Sequence, residues 1–234
     1  MSGLFGVIGS NGVVSNVAVI DFDYESIGDM ASGFAGINRG TMIGCKSGVN
    51  ISNAATTFLY GSDEPVAISS LDSEINASNI ASGLVAINEG TIQNVYQTGV
   101  ISGADTAGGI AAINNGTLQY GYNNKALEAA SADSKVGSIV GESNNTNISD
   151  FWFADSMKKA CGNLENSEIQ VTPIKLQEMR KSTFADALNA AIEGQGLAAW
   201  TQSSDKNEGY PLLESSVVVQ RTLTSTSGNV SISG

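Results

Sequence analysis

Asp21 and Asp23 are the close acidic pair whose spacing suits a strand, since residues two apart share one face. Two carboxylates so placed are the minimum equipment for general acid–base cleavage of a polysaccharide, or for the same chemistry assisted by calcium and Arg. The competing reading is a solvated strand edge, the ordinary place for Asp. Other chemistry is short of parts. The chain of 234 residues has no His, which removes Ser–His–Asp and Cys–His nucleophile systems and the two-His zinc motif. Cys45 and Cys161 are far apart and belong to no CxxC pair, so both read as buried apolar side chains. There is no EF-hand loop and no GGxGxD repeat. No metal or cofactor is expected.

The elements that would position Asp21 and Asp23 are repeats. GFAGINRGTM from Gly33, GLVAINEGTI from Gly83 and GIAAINNGTL from Gly109 share one pattern, with fainter copies from Gly3 and Gly137. A marker Gly recurs at Gly12, Gly40, Gly90 and Gly116, and Asn145 holds the fifth position. Self-similarity at a period in the twenties, written in short alternating segments, predicts stacked coils. The fold class expected is mainly β: a parallel β-helix of about four to six coils over residues 1–153, with ~4.8 Å between coils.

Each motif reads strand, turn, strand, with the turn at Asn-x-Gly, whose residues tolerate φ > 0. Stacking puts Asn38, Asn88 and Asn114 at one corner, where their amides can form a ladder. Gly40, Gly90 and Gly116 are expected to serve backbone geometry rather than phosphate binding, because no helix follows them. After the turn, Ile92, Val95 or Tyr96 are core candidates. The interval 53–80 lacks the motif and reads as a divergent coil carrying a loop, or an insertion. Departures from a regular scaffold are where recognition usually sits, so Tyr60, Asp63 and Glu64 join Asp21 and Asp23 as candidate binding residues.

A solenoid needs its ends covered. Residues 154–213 change texture. Thr172-Pro173 predicts a helix start, Thr183 and Asp186 a capping box, and Phe184, Leu188 and Ile192 one apolar face ended by Gly194. Trp200 and Tyr210 are bulky anchors more suited to a core than to a sugar-stacking platform. A small helical cap over the last coil is expected. Residues 214–234, with the run Val217-Val218-Val219, read as a linker or the first strand of a following module.

Net charge is −12, with four basic against fourteen acidic residues in the first 150. That balance argues against nucleic acid and anionic membranes as partners. No run of 18 apolar residues is present, so no membrane insertion is expected. No secretion signal precedes the first repeat, and the chain reads as a segment with flanking domains elsewhere.

The stretch GLVAINEGTIQNVYQTGVISG at 83–103 resembles the GLUG repeat of bacterial surface proteins, among them filamentous-haemagglutinin-like adhesins and non-catalytic portions of immunoglobulin A1-cleaving metallopeptidases. Phe184-Ala-Asp-Ala-Leu-Asn, Trp200 and Asn207-Glu-Gly-Tyr-Pro-Leu-Leu resemble the segment that closes such arrays. The resemblance implies a secreted, surface-displayed β-solenoid and brings no catalytic residue. The function expected is a non-catalytic structural or adhesive module that meets a host glycan or an extracellular-matrix protein. The alternatives are an accessory domain of a secreted peptidase or glycosidase, and a β-helix carbohydrate-active enzyme.

Overall fold

Five successive segments of the chain lie on one another in a computed structural model that describes residues 3–26, 30–53, 80–129, 131–213 and 217–220. Coil one holds β1 (Phe5–Ile8), β2 (Val13–Ser15) and β3 (Val17–Ser26). Coil two holds β4 (Met30–Ser32), β5 (Ala35–Asn38), β6 (Thr41–Ile43) and β7 (Lys46–Asn53). Coil three is β8 (Ile80–Ser82), β9 (Val85–Asn88), β10 (Thr91–Gln97) and β11 (Ile101–Ala104). Coil four is β12 (Thr106–Gly108), β13 (Ala111–Asn114), β14 (Thr117–Asn123) and β15 (Leu127–Ala129). Coil five is β16 (Lys135–Gly137), β17 (Val140–Ser143) and β18 (Ile148–Ala154). Their strands make three parallel sheets: β4-β8-β12-β16, β1-β5-β9-β13-β17, and a larger third sheet built around β6-β10-β14-β18. The expected parallel β-solenoid is the fold.

Register follows the repeats. Ile37, Ile87 and Ile113 are paired across coils, and so are Asn38, Asn88 and Asn114. Like side chains therefore stack inside: Phe34, Leu84, Ile110 and Ile139 form one fully buried row, and Met42, Ile92, Leu118 and Ile148 another. Thin coils leave no room at the marker glycines. A Cβ on Gly90 would lie 2.1 Å from the Gly40 carbonyl oxygen, and one on Gly116 2.1 Å from that of Gly90.

Positive φ does not fall where the Asn-x-Gly turn predicts it. It falls at Asn16, Gly44, Asn94, Tyr120 and Asp150, between 54° and 66°, one per coil. That left-handed residue bends the third sheet into two faces. Asn38, Asn88 and Asn114 turn the chain instead with side-chain bonds: the Asn38 Oδ1 accepts the Gly40 N–H at 3.2 Å, and the Asn88 Oδ1 that of Gly90 at 3.3 Å.

Coils two and three are directly bonded through β4–β8, β5–β9 and β6–β10. The divergent coil carrying a loop, or the insertion, expected over 53–80 falls on residues 54–79, which lie outside the described residues.

The closure of the stack also differs from expectation. Thr172 and Pro173 begin no helix. They sit in β19 (Val171–Ile174), which adds a parallel strand beyond β18. An edge strand tolerates a Pro that has no N–H to donate. Residues 159–162 run beside coil five, with the Ser138 and Ile139 N–H groups donating to Lys159 and Ala160 carbonyls. This partial sixth coil, with Ile169, Leu164 and Met157 beneath it, covers the core. The helices α1 (Leu176–Met179) and α2 (Ser182–Ala191) lie elsewhere, along the side of the stack. α2 starts one residue before Thr183, and Lys181 at its N-cap makes no side-chain capping bond, so the expected capping box is absent there. Phe184, Leu188 and Ile192 are buried as the spacing predicts. Finally, β20 (Val217–Gln220) pairs in parallel with β3 on the first coil, so this part of the expected linker returns to the opposite end of the stack.

Candidate functional site

Coils three to five each contribute one short polar segment ahead of the left-handed residue. Thr41, Thr91 and Thr117 are in register, as are Gln93, Gln119 and Ser149. Alternation turns Ile92, Leu118 and Ile148 inward and leaves these Thr, Gln and Ser side chains half-buried on the outer face. Gln93 Nε2 donates to Gln119 Oε1 at 2.8 Å, which holds the Gln119 amide in place along the row. At the closed end of the stack the sixth coil rises beside this face. Together they bound an open depression of about 600 Å³ lined by Thr117, Gln119, Asn147, Ser149, Glu168 and Gln170, with Ile148 and Ile169 in its floor. The Glu168 carboxylate is tied back to the Glu165 N–H at 2.8 Å. Hydroxyls and amides in two parallel rows offer donors and acceptors at the spacing of adjacent strands, ~4.8 Å.

Beyond the left-handed residue the same strands present aromatic side chains. Tyr96, Tyr122 and Trp152 face outward from coils three to five and meet Phe184, Leu188, Trp200 and Tyr210. Tyr96 and Tyr122 stack at 5.3 Å, and Trp200 lies 5.5 and 5.6 Å from them. The Tyr122 hydroxyl donates to the Pro211 carbonyl and accepts from Asn207 Nδ2. Burial holds the Tyr96 and Tyr122 hydroxyls well above the usual phenol range. Asn94 Nδ2 donates to the Ala198 carbonyl at 2.8 Å, and Lys46 of coil two reaches Asn207 Oδ1 at 3.1 Å. Trp200 is 3 % exposed, so it anchors this clamp and offers no stacking platform.

The ladder expected at the Asn corner is present. Asn38 Nδ2 donates to Asn88 Oδ1 at 2.9 Å, and Asn88 Nδ2 to Asn114 Oδ1 at 2.8 Å. It runs further than the motif does: Asn114 Nδ2 donates to Ser143 Oγ at 3.1 Å, and Asn163 satisfies both the N–H and the C=O of Ser143. All three motif Asn side chains are fully buried, which makes them structural. A second buried polar row, Ser47, Gln97 and Asn123, stands in register at the end of the third sheet and carries no shared motif.

Asp21 lies in β3 at an irregularity in the β3–β7 register, between Ile20 and Phe22, and Asp23 pairs with Asn50. Tyr60, Asp63 and Glu64 lie outside the described residues. Among the described residues no three His, Cys, Asp or Glu side chains gather as metal ligands would. Both cysteines are free and buried, and burial pushes the Cys45 thiol up to about 11. No described helix is long and apolar enough to cross a membrane.

Comparison of the chain with protein-family models, with curated proteins and with solved structures returned no match.

Proposed function

We propose that this chain is a non-catalytic structural and adhesive module of a secreted, surface-displayed bacterial protein, a stiff spacer that binds an extended host glycan along its polar face. The depression over Thr117, Gln119, Asn147, Ser149, Glu168 and Gln170 carries this reading. Its volume is in the range of ligand sites, ~300–1,000 Å³. Its lining matches sugar hydroxyls, which both donate and accept hydrogen bonds. The acidic balance of the chain disfavours polyanionic ligands, and the repeat resemblance supports display on a surface. A glycan array probed with the full chain, beside immobilised matrix proteins, tests the reading. Retention on neutral oligosaccharides, weakened at least about tenfold by Gln119→Ala, is the expected result. Retention on matrix protein alone, or none, overturns it.

A further inference from the structure

Polar–apolar–polar triplets stand on one another along the face that holds the depression. Thr91-Ile92-Gln93 and Thr117-Leu118-Gln119 are in register on coils three and four. Asn147-Ile148-Ser149 follows on coil five, with Ile148 beside Leu118 and Ser149 beside Gln119. Glu168-Ile169-Gln170 lines the same depression from the sixth coil. The central residue of each triplet is buried. The flanking residues therefore form two outward rows, ~7 Å apart, that climb the stack in steps of ~4.8 Å. The rows have definite ends. On coil two the partner of Gln93 is Ile43, so the second row turns apolar there. The sixth coil closes the other end. Across the rows the face is short, because the left-handed residues Tyr120 and Asp150 bend it directly after Gln119 and Ser149. A ligand lying along a strand meets one triplet before the face turns away, whereas a ligand lying along the solenoid axis meets all of them. Glu168 is the one charged residue in the lining of the depression, and no Lys or Arg is among those residues.

We propose that the depression takes a neutral, β-1,4-linked glycan lying parallel to the solenoid axis, one sugar to each of coils three to six, and that Glu168 excludes anionic sugars. The inference rests on the glycan reading above and adds direction, linkage and length to it. A β-1,4-linked chain is a flat ribbon with hydroxyls along both edges, so the two polar rows meet both edges. It advances by close to one coil spacing, ~4.8 Å, per sugar, so successive sugars meet successive triplets. An α-1,4-linked chain of the same sugar coils and leaves the rows. Gln119 accepts from Gln93 Nε2 through its Oε1, which leaves its own Nε2 to donate to a sugar hydroxyl. A carboxylate on the sugar would face Glu168 with no cation in the lining to offset the repulsion.

Isothermal titration calorimetry of the full chain with cello- and chito-oligosaccharides of about two to six sugars tests the proposal. Affinity should rise with length up to about four sugars and level off beyond, and malto-oligosaccharides of equal length should bind at least about tenfold more weakly than cello-oligosaccharides. Ile43→Gln extends the second row by one coil and should move the plateau to about five sugars. Oligomannuronate, β-1,4-linked and anionic, should bind at least about tenfold more weakly than the neutral series. Glu168→Gln, which keeps an acceptor for the Glu165 N–H, should narrow that gap. Neutral glycans retained on the array but bound without length dependence, or through malto-oligosaccharides equally well, or through neither β-1,4-linked series, overturn this inference and leave the glycan reading standing. A gap that Glu168→Gln leaves unchanged overturns the role of Glu168. An array that retains no glycan overturns both readings.

Discussion

Tyr96 and Tyr122 stand one coil apart in exact register, ring centroids 5.3 Å apart and planes inclined by 23°, and this stacked pair is what the C-terminal helices grip. Trp200 packs against both rings from the helical side. The clamp therefore reads the coil-to-coil spacing of the stack. Shifting one coil would unseat it.

Trp200→Ala should cost about 3–5 kcal/mol, the usual loss for a buried aromatic, and should free residues 175–213 for proteolysis. Trp200→Phe should cost clearly less, because the indole Nε1 is buried without an acceptor and its removal strands no partner. Urea denaturation with limited proteolysis checks both. Equal losses would place the energy outside the aromatic contact.

Asn88 is the middle rung of the ladder. Asn88→Ala removes the acceptor of Asn38 and the donor to Asn114, both buried. About 2–6 kcal/mol should be lost, given ~1–3 for each of the two stranded groups. Its neighbour Glu89 forms an exposed pair with Arg39 at 2.7 Å, and Glu89→Ala should change stability by less than about 1 kcal/mol.

Gly90→Ala should prevent coils two and three from closing, because the new Cβ meets the Gly40 carbonyl oxygen, a backbone atom that cannot step aside. Gly6→Ala is the control, with nothing within 4 Å of its Cβ. Circular dichroism and soluble yield separate the two.

Alkaline pH should loosen the fold in a defined window. The Cys45 thiol is raised by burial from 9.0 to about 11, so the folded state holds a proton that the unfolded chain releases. Its contribution is complete below pH 9 and is lost as pH rises through 11, about 2–3 kcal/mol in all. The raised Tyr96 and Tyr122 hydroxyls extend the loss above pH 10 with the same sign. Denaturation midpoints at pH 8 and pH 11 should converge partway in Cys45→Ala.

The solenoid was legible because each coil writes the same residues at the same corner, and Asn38, Asn88 and Asn114 need one another as partners. The left-handed corner was not legible, since Asn16, Gly44, Asn94, Tyr120 and Asp150 share a backbone angle and no side-chain type. The helical face was visible in Phe184, Leu188 and Ile192, but its destination was not. Its partners Tyr96, Tyr122 and Trp152 lie in three different coils; Tyr96 is buried as alternation predicts, but against the helices rather than inside the coils. Thr172-Pro173 carried a genuine helix-start signal that pairing with Trp152 and Phe153 overrode. The polar depression draws on β14, β18 and the turn at 166–170, segments that share no motif, so it exists only once the stack is built.

Binding without chemistry is the central claim, and one measurement reads both parts. Neutral oligosaccharides are incubated with the full chain, and retention and newly formed chain ends are followed together. Retention without cleavage is predicted, weakened at least about tenfold by Gln119→Ala and unchanged by Asp21→Asn. Cleavage that Asp21→Asn abolishes would contradict it.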